Sequence, residues 1–176
     1  PYGNGSPVAS ARNYIADDEA FLVLYSDDVV FGKSDALSLM DAFDEHPDAL
    51  AIVVAQEVDA GDVEKYGIFQ LKDGNKLDYI VEKPAANEAP STLASYGRYL
   101  LTPEVFTHLD PSNLGLDDEL WTVDAITKLT KTGDVYVVPT EGKWMTTGDP
   151  RNYIATHVRY VLDNEPYADE IKEMLR

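Results

Sequence analysis

Cysteine is absent from the 176 residues of this chain. Disulfide bonds, thiol catalysis and zinc sites that need thiolate ligands are therefore excluded. A chain without cysteine fits a reducing compartment, and we expect a cytoplasmic protein. Histidine is also scarce: only His46, His108 and His157 occur, and their wide separation in the sequence argues against a histidine metal cluster.

Basic residues are few. The chain has 14 lysines and arginines against 32 aspartates and glutamates, so its formal net charge is −18. Binding to nucleic acid or to an anionic membrane would need a dense basic patch, whereas these basic residues are scattered singly. The longest apolar run covers residues 49–55, far short of the roughly 20 residues that a membrane span needs. We therefore expect neither a nucleic-acid partner nor a membrane partner.

Several familiar motifs are missing too. The eleven glycines form no G-x-x-x-x-G-K-[ST] loop and no G-x-G-x-x-G turn, and there is no G-x-S-x-G elbow. By contrast, 44% of the residues are hydrophobic and 10% are aromatic, which is enough to bury a core. We expect one folded domain over residues 1–176.

The apolar pattern first predicts alternating helices and strands, which favours a parallel sheet covered by helices. The first strand is almost entirely apolar, as is typical of a strand buried on both faces. Asp73-Gly74 then predicts a hairpin, which makes the sheet mixed, although still mainly parallel. The predicted helices cover residues 7–16, 35–45, 103–109, 118–131, 149–163 and 166–175, and the predicted strands cover 20–26, 49–58, 66–72, 76–82, 94–101 and 135–138.

Two short polar clusters follow predicted strands. Asp27 and Asp28 come directly after the first strand, where open α/β sheets bind ligands and where a carboxylate can hold Mg²⁺. The alternative is a solvated turn. Glu82 and Lys83 end another strand, because Pro84 stops the ladder, and could bind sugar hydroxyls and a phosphate. The alternative is an ordinary strand end.

Four glycines stand near these clusters or near a helix start. Gly67 and Gly97 lie in or beside predicted strands, which indicates a bulge, a local twist or a place where a ligand approaches the backbone. Gly3 and Gly5 precede a predicted helix, whose free N–H groups could meet an anion or the edge of a base. Each signal is weak by itself.

Six segments, however, occur in the order and at the spacing of a known family. From the N-terminus they read GNGSPV, LYSDDVV, KYGIF, IVEKP, ASYGRYLL and DELWTVDAI. Together they resemble the bacterial UTP–glucose-1-phosphate uridylyltransferases, within the sugar-1-phosphate nucleotidylyltransferases. The match covers almost the whole chain. It implies a glycosyltransferase-A-like Rossmann variant, of which this chain would be the C-terminal two-thirds.

The resemblance also implies a role for each matching residue. Asp27 would bind Mg²⁺, Glu82 would contact the glucose hydroxyls and Lys83 would contact the sugar phosphate. Gly67 would offer its backbone to the sugar. Asp27 and Lys83 are thus the catalytic candidates. The other substrate contacts implied by the resemblance are at Gly3, Gly5, Tyr96 and Gly97.

This sequence departs from the family pattern in three places. The family's N-terminal signature loop, of the type G-x-G-T-R-x-x-P-x-T-K, binds the nucleoside triphosphate and has no counterpart here. Thr146 occupies the position of the family's second magnesium-binding aspartate, and Asp149 is close by but lies beyond Gly148. Trp121 replaces the glutamine of the family's DEIQLTDAI helix.

The implied reaction transfers a uridylyl group from UTP to glucose 1-phosphate, giving UDP-glucose and pyrophosphate, with Mg²⁺ as cofactor. We expect a homo-oligomer for the intact protein and little or no activity for the isolated chain. Two alternatives stay open. One is another sugar-1-phosphate nucleotidylyltransferase, such as a thymidylyltransferase, and the other is a non-catalytic module that binds sugar nucleotides. The missing loop and Thr146 favour the module for the chain by itself.

Overall fold

The computed structural model describes residues 3–112 and 114–174, which form a mixed sheet with helices on both faces. The strands are β1 Phe21–Leu24, β2 Asp28–Phe31, β3 Ala51–Glu57, β4 Gly67–Leu71, β5 Leu77–Glu82, β6 Leu93–Leu101, β7 Val135–Pro139 and β8 Lys143–Thr146. The helices are α1 Gly5–Ser10, α2 Asp35–Glu45, α3 Thr122–Leu129, α4 Pro150–Asp163 and α5 Glu165–Met174, with shorter 3₁₀ helices at Ala11–Tyr14, Val63–Lys65, Pro103–Thr107 and Leu116–Asp118. Within the described ranges, no helix combines the length and apolar character needed to cross a membrane.

The main sheet has six strands in the order β5-β4-β6-β3-β7, with β1 also paired to β6. The mixed α/β fold is therefore confirmed. Strands β1, β3, β4 and β7 point the same way, but β6 runs against them and lies between them. Only β3 and β7 consequently form a parallel pair among the described strands, which corrects the expectation of mainly parallel pairing. Alternating helices and strands set the direction of β1 and β3, but not the insertion of β6 beside them.

The long strand β6 pairs with β3 along one edge and shares its other edge between two strands. β1 covers the part of this edge from Arg98 to Leu101, and β4 covers Ala94 and Ser95. Between them, at Tyr96 and Gly97, neither strand is paired with β6. The carboxyl end of β1 and the start of β4 thus face each other across a gap in the sheet.

The core lies on both faces of the sheet, as expected for alternating side chains along buried strands. Val53 of β3 joins Tyr99, Ile126 and other residues in a cluster beneath α3. Its neighbours Ile52 and Val54 point the other way and pack against α2. All five residues from Ala51 to Ala55 are buried, so the prediction of a buried strand here is confirmed.

The first strand differs from its prediction. Leu22 is 36% exposed and Leu24 is 48% exposed, so β1 is buried on one face only. Within the described residues, β1 pairs with β6 alone, and its other edge has no strand beside it. An apolar strand was therefore the right prediction, whereas burial on both faces was wrong for this chain.

A second sheet of two strands was not predicted. β2 and β8 pair antiparallel, with Asp28 opposite Thr146 and Phe31 opposite Lys143. These strands are four residues long and lie more than a hundred residues apart, so no local turn signal announces them. This pairing places the turn after β1 against the segment that leads into α4.

Candidate active site

A cleft of about 170 Å³ opens at the gap in the β6 edge. Its lining includes five of the eight predicted site residues, together with Thr146. These residues come from the turn after β1 and from β4, β5, β6 and β8, so the split edge brings together segments that are distant in the sequence. The predicted residues that line the cleft are Asp27, Gly67, Glu82, Tyr96 and Gly97.

Asp27 is held by its main chain and leaves its carboxylate in the cleft. Its carbonyl oxygen accepts two hydrogen bonds from Thr147, one from the N–H at 2.6 Å and one from Oγ1 at 3.0 Å. A Cβ placed on Gly148 would lie 3.3 Å from both Asp27 Oδ2 and Thr146 Oγ1. The first and second metal positions of the family pattern are therefore neighbours in this fold.

Asp28 has a different environment from Asp27. Its Oδ1 accepts a hydrogen bond of 2.6 Å from Nε1 of Trp144. Burial raises the pKa of Asp28 to about 6, an effect that the neighbouring Asp27 charge reinforces and the Trp144 hydrogen bond opposes. The Asp28 carboxyl group is thus part of the wall of the cleft, whereas the Asp27 carboxylate is available to a ligand.

These donors suit one kind of metal site. No group of three histidine, cysteine, aspartate or glutamate side chains capable of holding a metal occurs among the described residues. Mg²⁺ usually keeps several waters and is bound through one or two carboxylates together with substrate phosphates. The Asp27 carboxylate and the Thr146 hydroxyl match that mode of binding, which requires the substrate to supply further oxygen ligands.

Gly67 and Glu82 face each other across the β4–β5 pair. A Cβ added to Gly67 would lie 3.0 Å from Glu82 Oε2, so the glutamate carboxylate lies directly over the glycine. Burial raises the pKa of Glu82, with a smaller opposing effect from the Lys83 charge. The pair therefore combines a hydrogen-bonding carboxylate with an open stretch of backbone at the floor of the cleft.

Lys83 is exposed and is not among the described residues that line the cleft. Its N–H donates to the Tyr66 carbonyl at 3.0 Å, and its φ of +46° turns the chain sharply after Glu82. Its Nζ lies 5.1 Å from the centre of the Trp121 ring, which is a cation–π contact. The residue that replaces the family's glutamine thus holds the ammonium group beside the cleft.

The two residues at the gap in β6 are both fixed by neighbouring side chains. The Tyr96 ring stacks on Trp144 with 4.9 Å between ring centres, and its hydroxyl donates to Asp35 at 2.6 Å. Gly97 has a φ of +74°, and the β3–β6 register shifts beside it, so the bulge interpretation is correct. A Cβ on Gly97 would lie 2.1 Å from the Tyr25 ring, so this glycine makes room for a side chain of the protein.

Gly3 and Gly5 do not line the cleft. A Cβ on either would lie within 3 Å of the Leu120 carbonyl oxygen, and the Gly5 N–H donates to that oxygen at 2.8 Å. Asn4, between them, lines the cleft, and its Oδ1 accepts from the Thr122 N–H at 2.8 Å. The two glycines therefore allow α1 to approach the start of α3, and Asn4 is the residue of this segment that faces the site.

Other residues of the cleft were not singled out from the sequence. Lys65 and Tyr66 directly precede Gly67 in the KYGIF segment, so the motif itself could have indicated them. Lys65 is the one cation among the described residues that line the cleft, and its Nζ lies 2.7 Å from Asp62 Oδ1. Trp144 could not be found in this way, because its role depends on the β2–β8 pairing.

Comparison with known proteins identifies the family. The model of the family described as Nucleotidyl transferase matches residues 1–161. The chain belongs to the nucleotidyl transferase family. Within this family, it is 35% identical to UTP--glucose-1-phosphate uridylyltransferase 2 of Staphylococcus saprophyticus over 99% of this chain and 61% of the relative.

Solved structures agree with this family assignment. UDP-glucose pyrophosphorylase from Acinetobacter baumannii is similar with a TM-score of 0.85 and 26% identity, over 99% of this chain and 62% of that one. A UDP-glucose pyrophosphorylase solved in complex with UDP-glucose is similar with a TM-score of 0.83 and 28% identity, over 92% of this chain and 63% of that one. The nucleotidyl transferase chain described here thus spans about 60% of the length of the relatives it matches.

Gly97 and Gly74 provide a matched test of the gap in β6. Both have positive φ, but a Cβ on Gly97 would meet the Tyr25 ring, whereas nothing lies within 4 Å of a Cβ on Gly74. We predict that Gly97→Ala lowers the free energy of unfolding by roughly 1–3 kcal/mol more than Gly74→Ala, because of overpacking. Urea unfolding of both variants measures the difference. Equal losses would show that the Tyr25 contact is unimportant.

The raised pKa of Asp28 predicts a pH dependence of stability. A carboxyl group whose pKa is about 6 in the fold, against an ordinary value of 3.8, binds its proton more tightly in the folded chain. Its contribution is fully present below about pH 4 and is lost as pH rises through about 6. We predict that the unfolding free energy, relative to Asp28→Asn, falls over this interval.

Urea unfolding between pH 4 and 8 measures this difference. Asn keeps an acceptor for Trp144 without an ionisable group, so the comparison isolates the charge. Asp44→Asn changes an exposed carboxylate on α2 and serves as the control. A constant difference between the unaltered chain and Asp28→Asn would contradict the raised pKa.

Proposed function

We propose that this chain is the sugar-binding part of an enzyme that transfers a uridylyl group from UTP to glucose 1-phosphate, giving UDP-glucose and pyrophosphate. The observation that carries the proposal is the meeting of Asp27, Gly67 and Glu82 in one cleft. Relatives named UTP--glucose-1-phosphate uridylyltransferase match almost all of this chain at 31–35% identity. Their shared name supports the choice of nucleotide and sugar.

In the proposed reaction, a phosphate oxygen of glucose 1-phosphate attacks the α-phosphorus of UTP in line, and pyrophosphate leaves. Such a transfer needs no covalent intermediate on the protein, so catalysis consists of positioning and charge stabilisation. Bound Mg²⁺ would neutralise charge on the phosphates. Asp27, with Thr146 beside it, would hold the cation through oxygen ligands.

The sugar would lie on the β4–β5 side of the cleft. Glu82 would accept hydrogen bonds from the glucose hydroxyls, and Gly67 would let the ring approach the backbone. Tyr96 and Gly97 form the opposite wall at the gap in β6. Lys83 would meet the sugar phosphate, since its flexible stem allows the ammonium to leave Trp121.

An acidic protein can bind two polyanions in this way because the relevant fields are local. Surface charges are screened beyond about 8 Å at physiological salt. Lys65 lines the cleft and Lys83 lies beside it. Asp27, Asp28 and Glu82 line it too, and Mg²⁺ bound at Asp27 would offset part of their charge. The net charge of −18 therefore does not oppose the proposal.

The test is pyrophosphate release by the complete gene product that contains these 176 residues, with Mg²⁺ and glucose 1-phosphate. UTP, dTTP, ATP, CTP and GTP are offered separately. We expect release that prefers UTP. A preference for dTTP would indicate a thymidylyltransferase. If folded protein released no pyrophosphate with any nucleotide, a binding module would be favoured.

Lys83→Ala tests the residue assigned to the sugar phosphate. Losing one positioned charge on a reacting phosphate is expected to lower kcat/KM for glucose 1-phosphate roughly 100-fold. Because Lys83 is exposed, the free energy of unfolding should change by less than about 1 kcal/mol. Lys72→Ala, at an exposed lysine in the β4–β5 hairpin, is the control. Unchanged kinetics for Lys83→Ala would reject this role.

Two further properties stay predictions. Exposed apolar side chains on α4 and α5, such as Ile154, Val158 and Tyr167, support the expected homo-oligomer. Sedimentation of the complete gene product at several concentrations decides this point. The cytoplasmic location rests on the absence of cysteine and awaits a fractionation experiment.

A further inference from the structure

Arg98 is a buried cation that hydrogen-bonds to no carboxylate in the described part of the chain, although its charge opposes the raised pKa of the Asp28 carboxyl group. Arg98 is 9% exposed, and it forms no ion pair within 4 Å among the described residues. Buried arginines are usually paired with carboxylates, because an uncompensated charge is costly to bury. The guanidinium of Arg98 is instead surrounded by main-chain carbonyl oxygens.

These carbonyls belong to the turn that carries Asp27. Nη1 of Arg98 donates to the Tyr25 carbonyl at 2.7 Å and, more weakly, to the Gly97 carbonyl at 3.3 Å. Nη2 donates to the carbonyl of Asp28. Tyr25 and Asp28 are the residues on either side of the Ser26-Asp27 dipeptide, so one side chain holds both ends of the turn.

Thr147 binds the main chain of the same turn. Its N–H and its Oγ1 both donate to the carbonyl of Asp27. Of the four carbonyl groups from Tyr25 to Asp28, all but that of Ser26 are therefore bound by Arg98 or Thr147. Among the described residues, no group donates a hydrogen bond to the Asp27 carboxylate itself. The backbone of the turn is thus held at three carbonyls, while the Asp27 side chain remains open to the cleft.

We propose that Arg98 is a positioning residue, which together with Thr147 fixes the turn so that the Asp27 carboxylate stands ready for the cation in the cleft. This inference rests on the proposed role of Asp27 in holding Mg²⁺. Arginine suits this role because its rigid planar fork donates to two carbonyls from separate nitrogens, whereas the donors of a lysine share one nitrogen on a flexible stem. Donation to carbonyls, rather than to carboxylates, also leaves Asp27 free to bind a ligand.

Arg98→Lys in the complete gene product is the principal test. Loss of a residue that orients a metal ligand typically weakens metal affinity, and we expect the half-saturating Mg²⁺ concentration to rise roughly tenfold. The KM for glucose 1-phosphate should change less than about twofold, since the Glu82 side of the cleft is untouched. Arg159→Lys, at an exposed arginine on α4, is the matched control.

A second readout does not depend on activity. Hydrogen exchange of the Thr147 amide, whose N–H donates to Asp27, should accelerate in Arg98→Lys while the amides of β3 stay protected. Thr147→Val removes the Oγ1 hydrogen bond to the Asp27 carbonyl at a residue outside the hydrophobic core. Thr147→Val should also raise the half-saturating Mg²⁺ concentration. Because both residues hold the same turn, the effect of the double variant should differ from the sum of the two single effects.

Measuring Asp27→Asn alongside these variants separates the proposed metal-binding role of Asp27 from the proposed positioning role of Arg98. If Asp27→Asn alters the Mg²⁺ dependence and neither Arg98→Lys nor Thr147→Val does, the positioning role is wrong and the metal role of Asp27 stands. If Asp27→Asn leaves the Mg²⁺ dependence unchanged, both are rejected. A parallel rise in the KM for glucose 1-phosphate and in the Mg²⁺ requirement would show a general structural role for Arg98 and overturn the proposal.

Discussion

The site depends on one constraint, which is that β6 shares a single edge between two strands. β1 and β4 pair with opposite ends of this edge, and the residues between them, Tyr96 and Gly97, remain unpaired with either strand. The gap lets side chains from five strands reach one cleft. The left-handed conformation of Gly97 and the close packing of Tyr25 maintain that gap. The chemistry proposed for the protein is possible only because the sheet is interrupted here.

The adjacent carboxyl groups of Asp27 and Asp28 show how local packing gives two identical groups different environments. Asp28 is partly buried, accepts a hydrogen bond from Trp144, and has a raised pKa. The Asp27 carboxylate receives no hydrogen bond from the described residues, while its carbonyl is bound twice by Thr147. The Asp28 carboxyl group forms part of the wall of the cleft, and the Asp27 carboxylate remains available for a cation. Burial, and not residue type, makes the difference.

Much of the fold was predictable because its signals are local. The buried strand at β3, the Asp73-Gly74 hairpin and the α4 helix all depend on residues close together in sequence. The β2–β8 pairing could not be predicted, since its strands are short and distant in sequence. The exposed side of β1 was also missed, because burial depends on which elements cover a strand.

Motifs in a recognisable order were enough to predict the family and the roles of Asp27, Gly67 and Glu82, which the fold brings into one cleft. Which neighbouring residues face the cleft depends on the packing of the whole chain. Asn4 lines the cleft and the glycines on either side of it do not. Trp144 also lines the cleft, and the Lys83 ammonium lies over the Trp121 ring. Motifs report residue types along the chain, whereas orientation depends on strand register and on packing between distant segments.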